Sequence, residues 1–401
     1  MSITIGIILM YCVATAIAVV TQRVRVPYTA VLLVVGMVLG GLHVVALPHL
    51  TKDLLFALFL PGLLFEAAYH LEVGELRDNA WTIGVLAVPG VVMTIVLTAL
   101  LLVVGATLIG QPVGWTTALI FGGVIAATDP VAVTALFRRV SAPRRLHVLV
   151  ESESLLNDGT AIVFLTLMLA YFAGEVPTAM SLVVAFLRIA GGGAVLGLVI
   201  GWGTSHVRTR VDDAAIEITL TTIAAYGAFA LAEQFHCSGV IATVAAGVVS
   251  GQAGRHHVLM VGTRHAVDSF WEWLAFALNS AVFLLLGAEL PASAVILEWR
   301  VVLSGALAVL IARAIVVASV SALTARTNES MPRAWSVVLM WGGLRGALSL
   351  VLALALPAQP GDRPLIVAMT AGTVVLSLIG QGVTMPMLLR GLSVGADGEH
   401  R

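Results

Sequence analysis

Apolar residues run along most of this chain in blocks of about 20, long enough to cross a hydrocarbon core at 1.5 Å rise per residue, with short polar connections between them. Thirteen blocks are predicted as spanning helices: 3–21, 27–47, 53–70, 80–108, 114–137, 147–173, 179–207, 214–235, 237–253, 266–290, 300–325, 334–357 and 364–389. Pro27, Pro143, Pro177, Pro332 and Pro364 punctuate the connections, where a missing backbone donor does least harm. Of the 401 residues, 59% are hydrophobic and 11% charged, against about 25% charged in a soluble chain. This predicts an all-α integral membrane protein. The first block has no small-residue cleavage site and leads straight into further blocks, so it reads as a first helix and not as a removed signal. A net charge of −1 gives no case for nucleic acid or a polybasic lipid-binding tail. Cys12 and Cys237 lie in apolar blocks and read as buried thiols, not as a disulfide or metal pair.

The basic residues divide unevenly between alternate connections. One set holds Arg23, Arg25, Arg77, Arg138, Arg139, Arg144, Arg145, Arg208, Arg210, Arg255, Arg264, Arg326 and Arg333, with Arg390 and Arg401 in the tail on the same side. The opposite set holds Lys52, Arg300 and Arg363. Positive loops stay in the cytoplasm, so the N-terminus is expected outside, the C-terminus inside, and the number of spans odd. Arg188, Arg313 and Arg345 fall within spans.

The two halves resemble each other. Val31–Gly41 parallels Val240–Gly251, Leu54–Leu58 parallels Leu274–Leu278, and Thr128-Asp129-Pro130 parallels the glycine-rich run Gly342–Gly346, all at offsets of about 210–220 residues. That separation contains an odd number of spans, so the second copy enters the membrane inverted. Inverted repeats with paired broken helices place a transport site at the midplane between them.

Two polar segments interrupt apolar blocks. In Ala127-Thr128-Asp129-Pro130, the proline removes a donor and disfavours helix at the residue before it. The freed carbonyls cannot be left facing lipid. With the Thr128 hydroxyl and the Asp129 carboxylate they form a set of hard oxygens suited to an alkali cation, and Asp129 can also cap the second half-helix. In Glu151–Asp158, helical spacing stacks Ser154 with Asp158 and, on the adjacent face, Glu153 with Asn157. Ser154 and Asp158 can then face Asp129, while Glu153 needs a cation. Arg345, in its glycine-rich break, is the expected partner. Glu66 is a further mid-span acid, expected on an ion pathway. Arg313 also requires a partner, which the sequence does not name. Glu233, His236, Glu272 and Trp273 read as interfacial. Gly191-Gly192-Gly193 reads as helix packing. No His-Glu-x-x-His and no Ser-His or Asp-Asp pair at membrane depth supports a membrane enzyme.

At Arg25-Val26-Pro27-Tyr28, Phe65-Glu66-Ala67, Ala127–Val133, Glu153–Asp158, Ser238-Gly239-Val240, Leu278-Asn279-Ser280 and Gly343–Ala347, the chain resembles the monovalent cation:proton antiporter-1 family, which includes bacterial and archaeal sodium/proton antiporters and animal sodium/hydrogen exchangers. The resemblance implies the sodium/proton antiporter fold, with about 13 helices, inverted repeats and two crossed broken helices. It places dimerisation-domain helices in 1–73 and 214–290, core-domain helices in 79–173 and 300–390, a linking helix in 179–207 and a short cytoplasmic tail in 391–401. It also implies a homodimer in the cell membrane, exchanging sodium, with lithium, for protons by alternating access.

By the same resemblance Asp158 carries cation or proton. Asp129, Thr128, Ser154 and Glu66 join it as ligands of the transported cation. Glu153, Arg345 and Asn157 stabilise the site, and no cofactor is involved. Asn157, where electrogenic relatives carry an acid, implies electroneutral one-for-one exchange. Ser152 departs from the family's usual glycine. The animal members' long regulatory tail is not expected. A potassium/proton antiporter of the same fold stays open, as does a channel-like cation pathway or sensor.

Overall fold

A computed structural model describes residues 3–23, 27–42, 51, 54–175, 178–256, 261–290 and 292–394. Arg25, Val26, Lys52, Pro177, Arg401 and the tail beyond residue 394 lie outside the described residues, as do the side chains of Arg139 and Arg255. Every predicted apolar block contains helix, and no strand occurs among the described residues. Helix satisfies all backbone donors and acceptors within one segment, which a hydrocarbon medium demands.

The helices are α1 (Ile3–Arg23), α2 (Tyr28–Leu42), α3 (Leu55–His70), α4 (Ala80–Leu108), α5 (Trp115–Ile125), α6 (Val131–Val140), α7 (Arg144–Phe172), α8 (Ala179–Arg208), α9 (Ala214–Gln234), α10 (Gly239–His256), α11 (Val261–Glu289), α12 (Trp299–Thr324), α13 (Arg333–Gly342), α14 (Ala347–Ala355) and α15 (Arg363–Gly391). Short helices Val73–Asp78 and Ala292–Leu297 lie in connections. Among the described residues seven helices are long and apolar enough to cross a membrane, or eight with the α13–α14 pair, which bends by 42°. Helices α2, α3, α5 and α10 are apolar but shorter.

Two units separate by their internal contacts. The first comprises residues 1–50, 79–173 and 280–401, the second 51–78 and 174–279. In the second, Phe65 and Tyr69 of α3 pack with Trp271 of α11 and with alanines of α9 and α10. Gly247 and Gly251 let α10 approach the α3 backbone closely. Arg208, expected as a loop charge, is instead buried here. It pairs with Glu217 at 3.1 Å and donates to the Ser250 carbonyl at 3.0 Å. Its positive charge is spent inside the unit, because a buried guanidinium must be compensated. Cys12 is exposed and Cys237 half-buried, so neither is the buried thiol expected from an apolar block. In such a chain the outer face of a helix meets lipid, and apolarity alone does not mean burial. Arg188 sits on the exposed face of α8.

In the first unit the two broken helices meet. Residues 126–130 separate α5 from α6, and 343–346 separate α13 from α14. The Asp129 amide donates to the Leu344 carbonyl at 2.8 Å, joining one break to the other. In α4, Pro89 sits within a π-turn, Leu86–Gly90. The Ala87 carbonyl there accepts a 2.6 Å hydrogen bond from Thr160 of α7, two residues beyond Asp158. That contact ties α7 to α4 one half-turn beyond Asp158.

Candidate functional site: the crossing of the two breaks

Each break supplies backbone groups that a regular helix would have satisfied internally, and the other break satisfies them. Arg345 donates from Nη1 to the carbonyls of Ala126 at 3.0 Å and Ala127 at 3.2 Å. It neutralises the carbonyl end of α5, where the helix dipole is negative. Ser349 adds a 3.4 Å bond to Ala127, and the Arg345 amide donates to Ser377 Oγ at 3.0 Å. At the other half-helix, Asp129 Oδ1 accepts from the Val131 amide, the first of α6, at 2.9 Å; the N-cap position itself falls on Pro130, which has no polar side chain to cap it. The rest of the Asp129 side chain lies against Gly346, where a Cβ would overlap the carboxylate. Glycine is required at that close approach.

Helix α7 brings the second group of residues to the same place. Ser154 Oγ donates to the Thr128 carbonyl and accepts from Thr128 Oγ1, the latter at 3.2 Å. Asn157 Nδ2 donates to Glu153 Oε1 at 2.7 Å and reaches Thr128 Oγ1 at 3.5 Å. The i,i+4 pairing of Glu153 with Asn157 therefore exists as a hydrogen bond. Thr128, Asp129, Glu153 and Ser154 line one small cleft. Asp158 lies within electrostatic reach of Asp129, Arg345, Glu153 and the Thr128 backbone amide. Its Oδ1 is buried without a hydrogen-bond partner, as is Oδ1 of Asn157. Asp129 and Asp158 as whole residues are only partly buried. The Asp129 carboxylate and the Thr128 and Ser154 hydroxyls thus lie at one cleft, and Asn157 and Asp158 follow on the next turn of α7. Among the described residues no three His, Cys, Asp or Glu converge as a metal cluster would require. Carboxylate and neutral oxygens of this kind are donors for a hard cation.

Geometry corrects the expected Glu153–Arg345 pair. Glu153 is joined to Arg313 of α12, with Arg313 Nη1 on Oε1 and Nη2 on Oε2 at 2.8 Å. Nη2 also donates to the Leu339 carbonyl at 2.9 Å. A bidentate fork-to-carboxylate contact needs a straight approach in one plane, which α12 provides. Arg345 is committed to the α5 carbonyls. The sequence showed that Arg313 needed a counter-charge and that Glu153 needed a cation. It gave no distance to match them, since Gly342–Gly346 made Arg345 the more conspicuous arginine. Thr160 and Ser377 were also not singled out; Pro89 inside an apolar block was the only available sign of the first.

Glu66 lies on α3 in the second unit, where its carboxylate is 3.5 Å from His70 Nδ1. Its backbone carbonyl is 2.9 Å from the same ring nitrogen. Ser152 is fully buried, and its hydroxyl has no hydrogen-bond partner. Glu233 caps the start of α10, its Oε1 accepting from the Gly239 amide at 3.2 Å.

Comparison with known proteins places these features in a family. Residues 8–391 match the family model described as sodium/hydrogen exchanger, transmembrane. The chain is 36% identical to the Na(+)/H(+) antiporter NhaP of Pseudomonas aeruginosa over 361 residues, 87% of this chain and 84% of that one. It is 35% identical to the low-affinity Na(+)/H(+) antiporter NhaS1 of Synechocystis over 385 residues, 94% of this chain and 72% of that one. The solved structure of the sodium proton antiporter MjNhaP1 from Methanocaldococcus jannaschii superposes with a TM-score of 0.80 at 20% identity, covering 98% of this chain and 99% of that one.

Proposed function

The chain belongs to the transmembrane sodium/hydrogen exchanger family, and from that premise we propose that it exchanges one sodium ion, or lithium, for one proton. The observation that carries this reading is a charge count. Asp129, Asp158 and Glu153 contribute −3 around the crossing, and Arg313 and Arg345 contribute +2, leaving −1. One proton or one alkali cation brings that sum to zero. Glu153 is held by Arg313, and one Asp129 oxygen accepts the Val131 amide. Asp158, with an oxygen that accepts no hydrogen bond, is then the group on which cation and proton compete.

Asp129, Thr128 and Ser154 supply further cation ligands, with Glu66 as a candidate on the pathway. Asn157, Glu153, Arg313 and Arg345 hold the ligands in place. A neutral loaded site can move between the two faces of the membrane. The unloaded −1 site cannot cross a low-dielectric barrier cheaply, and that asymmetry couples the two fluxes. The distribution of arginines supports an N-terminus outside and a C-terminus in the cytoplasm, and the family supports a homodimer working by alternating access.

The test is exchange in proteoliposomes, with sodium, lithium and potassium offered in turn under a clamped membrane potential. The expected result is saturable exchange with sodium and lithium whose rate does not change with voltage. No net charge moves, so the roughly 2.3 kcal/mol per charge per 100 mV has nothing to act on. A rate that varies with voltage would mean that a second proton moves and that Asp129 also gives up its charge. Exchange with potassium alone would make the chain a potassium/proton antiporter.

A further inference from the structure

A second crevice in the first unit, about 260 Å³ in volume, lies between α12 and α15, beside the α13–α14 break. It shares only Arg313 and Gly343 with the cation cleft. Its floor carries donors without acceptors. Arg345 is 1% exposed and forms no carboxylate ion pair within the described residues; its Nε has no hydrogen-bond partner. Nε of Arg313 and Oγ1 of Thr373, both on buried side chains, are likewise unpartnered. Guanidinium groups stay charged at any working pH, so such donors favour an anion. The walls have the opposite character. Leu303, Leu307 and Leu376 line the crevice and are 43%, 49% and 46% exposed, forming an apolar mouth on the outer surface of spanning helices.

A hydrated inorganic anion would have to shed water to pass that mouth, at high cost. A cationic amphiphile would meet two guanidinium groups. An anion carried on a hydrocarbon body satisfies both floor and walls. We propose that this crevice binds a long-chain fatty acid, its carboxylate on Arg345 and Thr373 and its chain along Leu303, Leu307 and Leu376.

The experiment uses the full chain in phosphatidylcholine nanodiscs at alkaline pH, with a photoactivatable palmitic acid and the matching fatty alcohol as probes. The acid should label peptides from Trp299–Thr324 and Arg363–Gly391. It should do so about tenfold more than the alcohol, the preference that one charge-assisted hydrogen bond provides at the low end. Unlabelled palmitate should compete and acetate should not. Leu307→Trp or Leu376→Trp, each filling the mouth, should remove the labelling, and Thr373→Val should weaken it. Equal labelling by acid and alcohol would mean that bulk lipid tails fill the crevice, and would overturn the proposal. Labelling unaffected by both mouth variants would overturn it as well. Competition by acetate equal to that by palmitate would make the site one for small anions and overturn the fatty-acid assignment.

Discussion

Asp158→Asn is expected to insert and fold like the wild type but to exchange no sodium for protons. Asparagine keeps the shape of the side chain and removes the one group that can hold either a proton or a cation in turn. The charge around the crossing then becomes zero with nothing bound, since −3 and +2 become −2 and +2. A site that is already neutral has no reason to take up a cation before it moves. Sodium-driven recovery of a pH-sensitive dye in proteoliposomes measures this directly. Residual exchange above about a tenth of wild type would reflect a loss of less than ~1.4 kcal/mol, too small for the exchanging carboxylate. Asp158 would then be an ordinary ligand and Asp129 the exchanging group.

Arg313→Ala is expected to destabilise the protein by about 3–5 kcal/mol, because it leaves Glu153 buried and uncompensated. Glu153 is 3% exposed and has Arg313 and Asn157 as its partners. The double change Glu153→Gln with Arg313→Gln should recover a large part of that loss, since two neutral amides leave no bare charge. Melting temperature in a mild detergent reads the effect. Arg345→Gln combined with Glu153→Gln should show no such recovery, because Arg345 serves the α5 carbonyls instead. Recovery in that second pair would restore the assignment that glycine spacing first suggested.

Helical periodicity paired Glu153 with Asn157 correctly, because i,i+4 geometry is local and does not depend on the fold. The two breaks were legible for the same reason: Pro130 and the glycines at 342, 343 and 346 act on their own backbone. Whether Asp129 faces Gly346, or Glu153 reaches Arg313, depends on how α7, α12 and the breaks cross. No spacing within one helix contains that information. The π-turn at Leu86–Gly90 belongs to the same class, since a single proline in an apolar block suits a kink, a π-turn or a loop equally well. Arg208 shows a further limit. A basic residue at a helix end reads as a loop charge until its buried partner, Glu217, is seen.

Electrostatics also explains why the site tolerates so much charge. Each of Arg313 and Arg345 cancels a carboxylate or a helix end, and only one negative charge remains uncompensated. In the proposed exchange that remainder is the quantity on which transport depends. A sequence with an acid in place of Asn157 would leave a second uncompensated charge and a different stoichiometry. Here the Asn157 amide instead donates to Glu153, the carboxylate that Arg313 holds.

Proton release on sodium binding tests the competition most directly. Sodium is added to purified protein in weakly buffered detergent solution, and the liberated protons are titrated. The wild type should release a single proton per protomer as the site fills. The folded Asp158→Asn variant should release none, while Asn157→Ala should still release its proton. Sodium binding without proton release by the wild type, or undiminished release from Asp158→Asn, would contradict competition at this carboxylate.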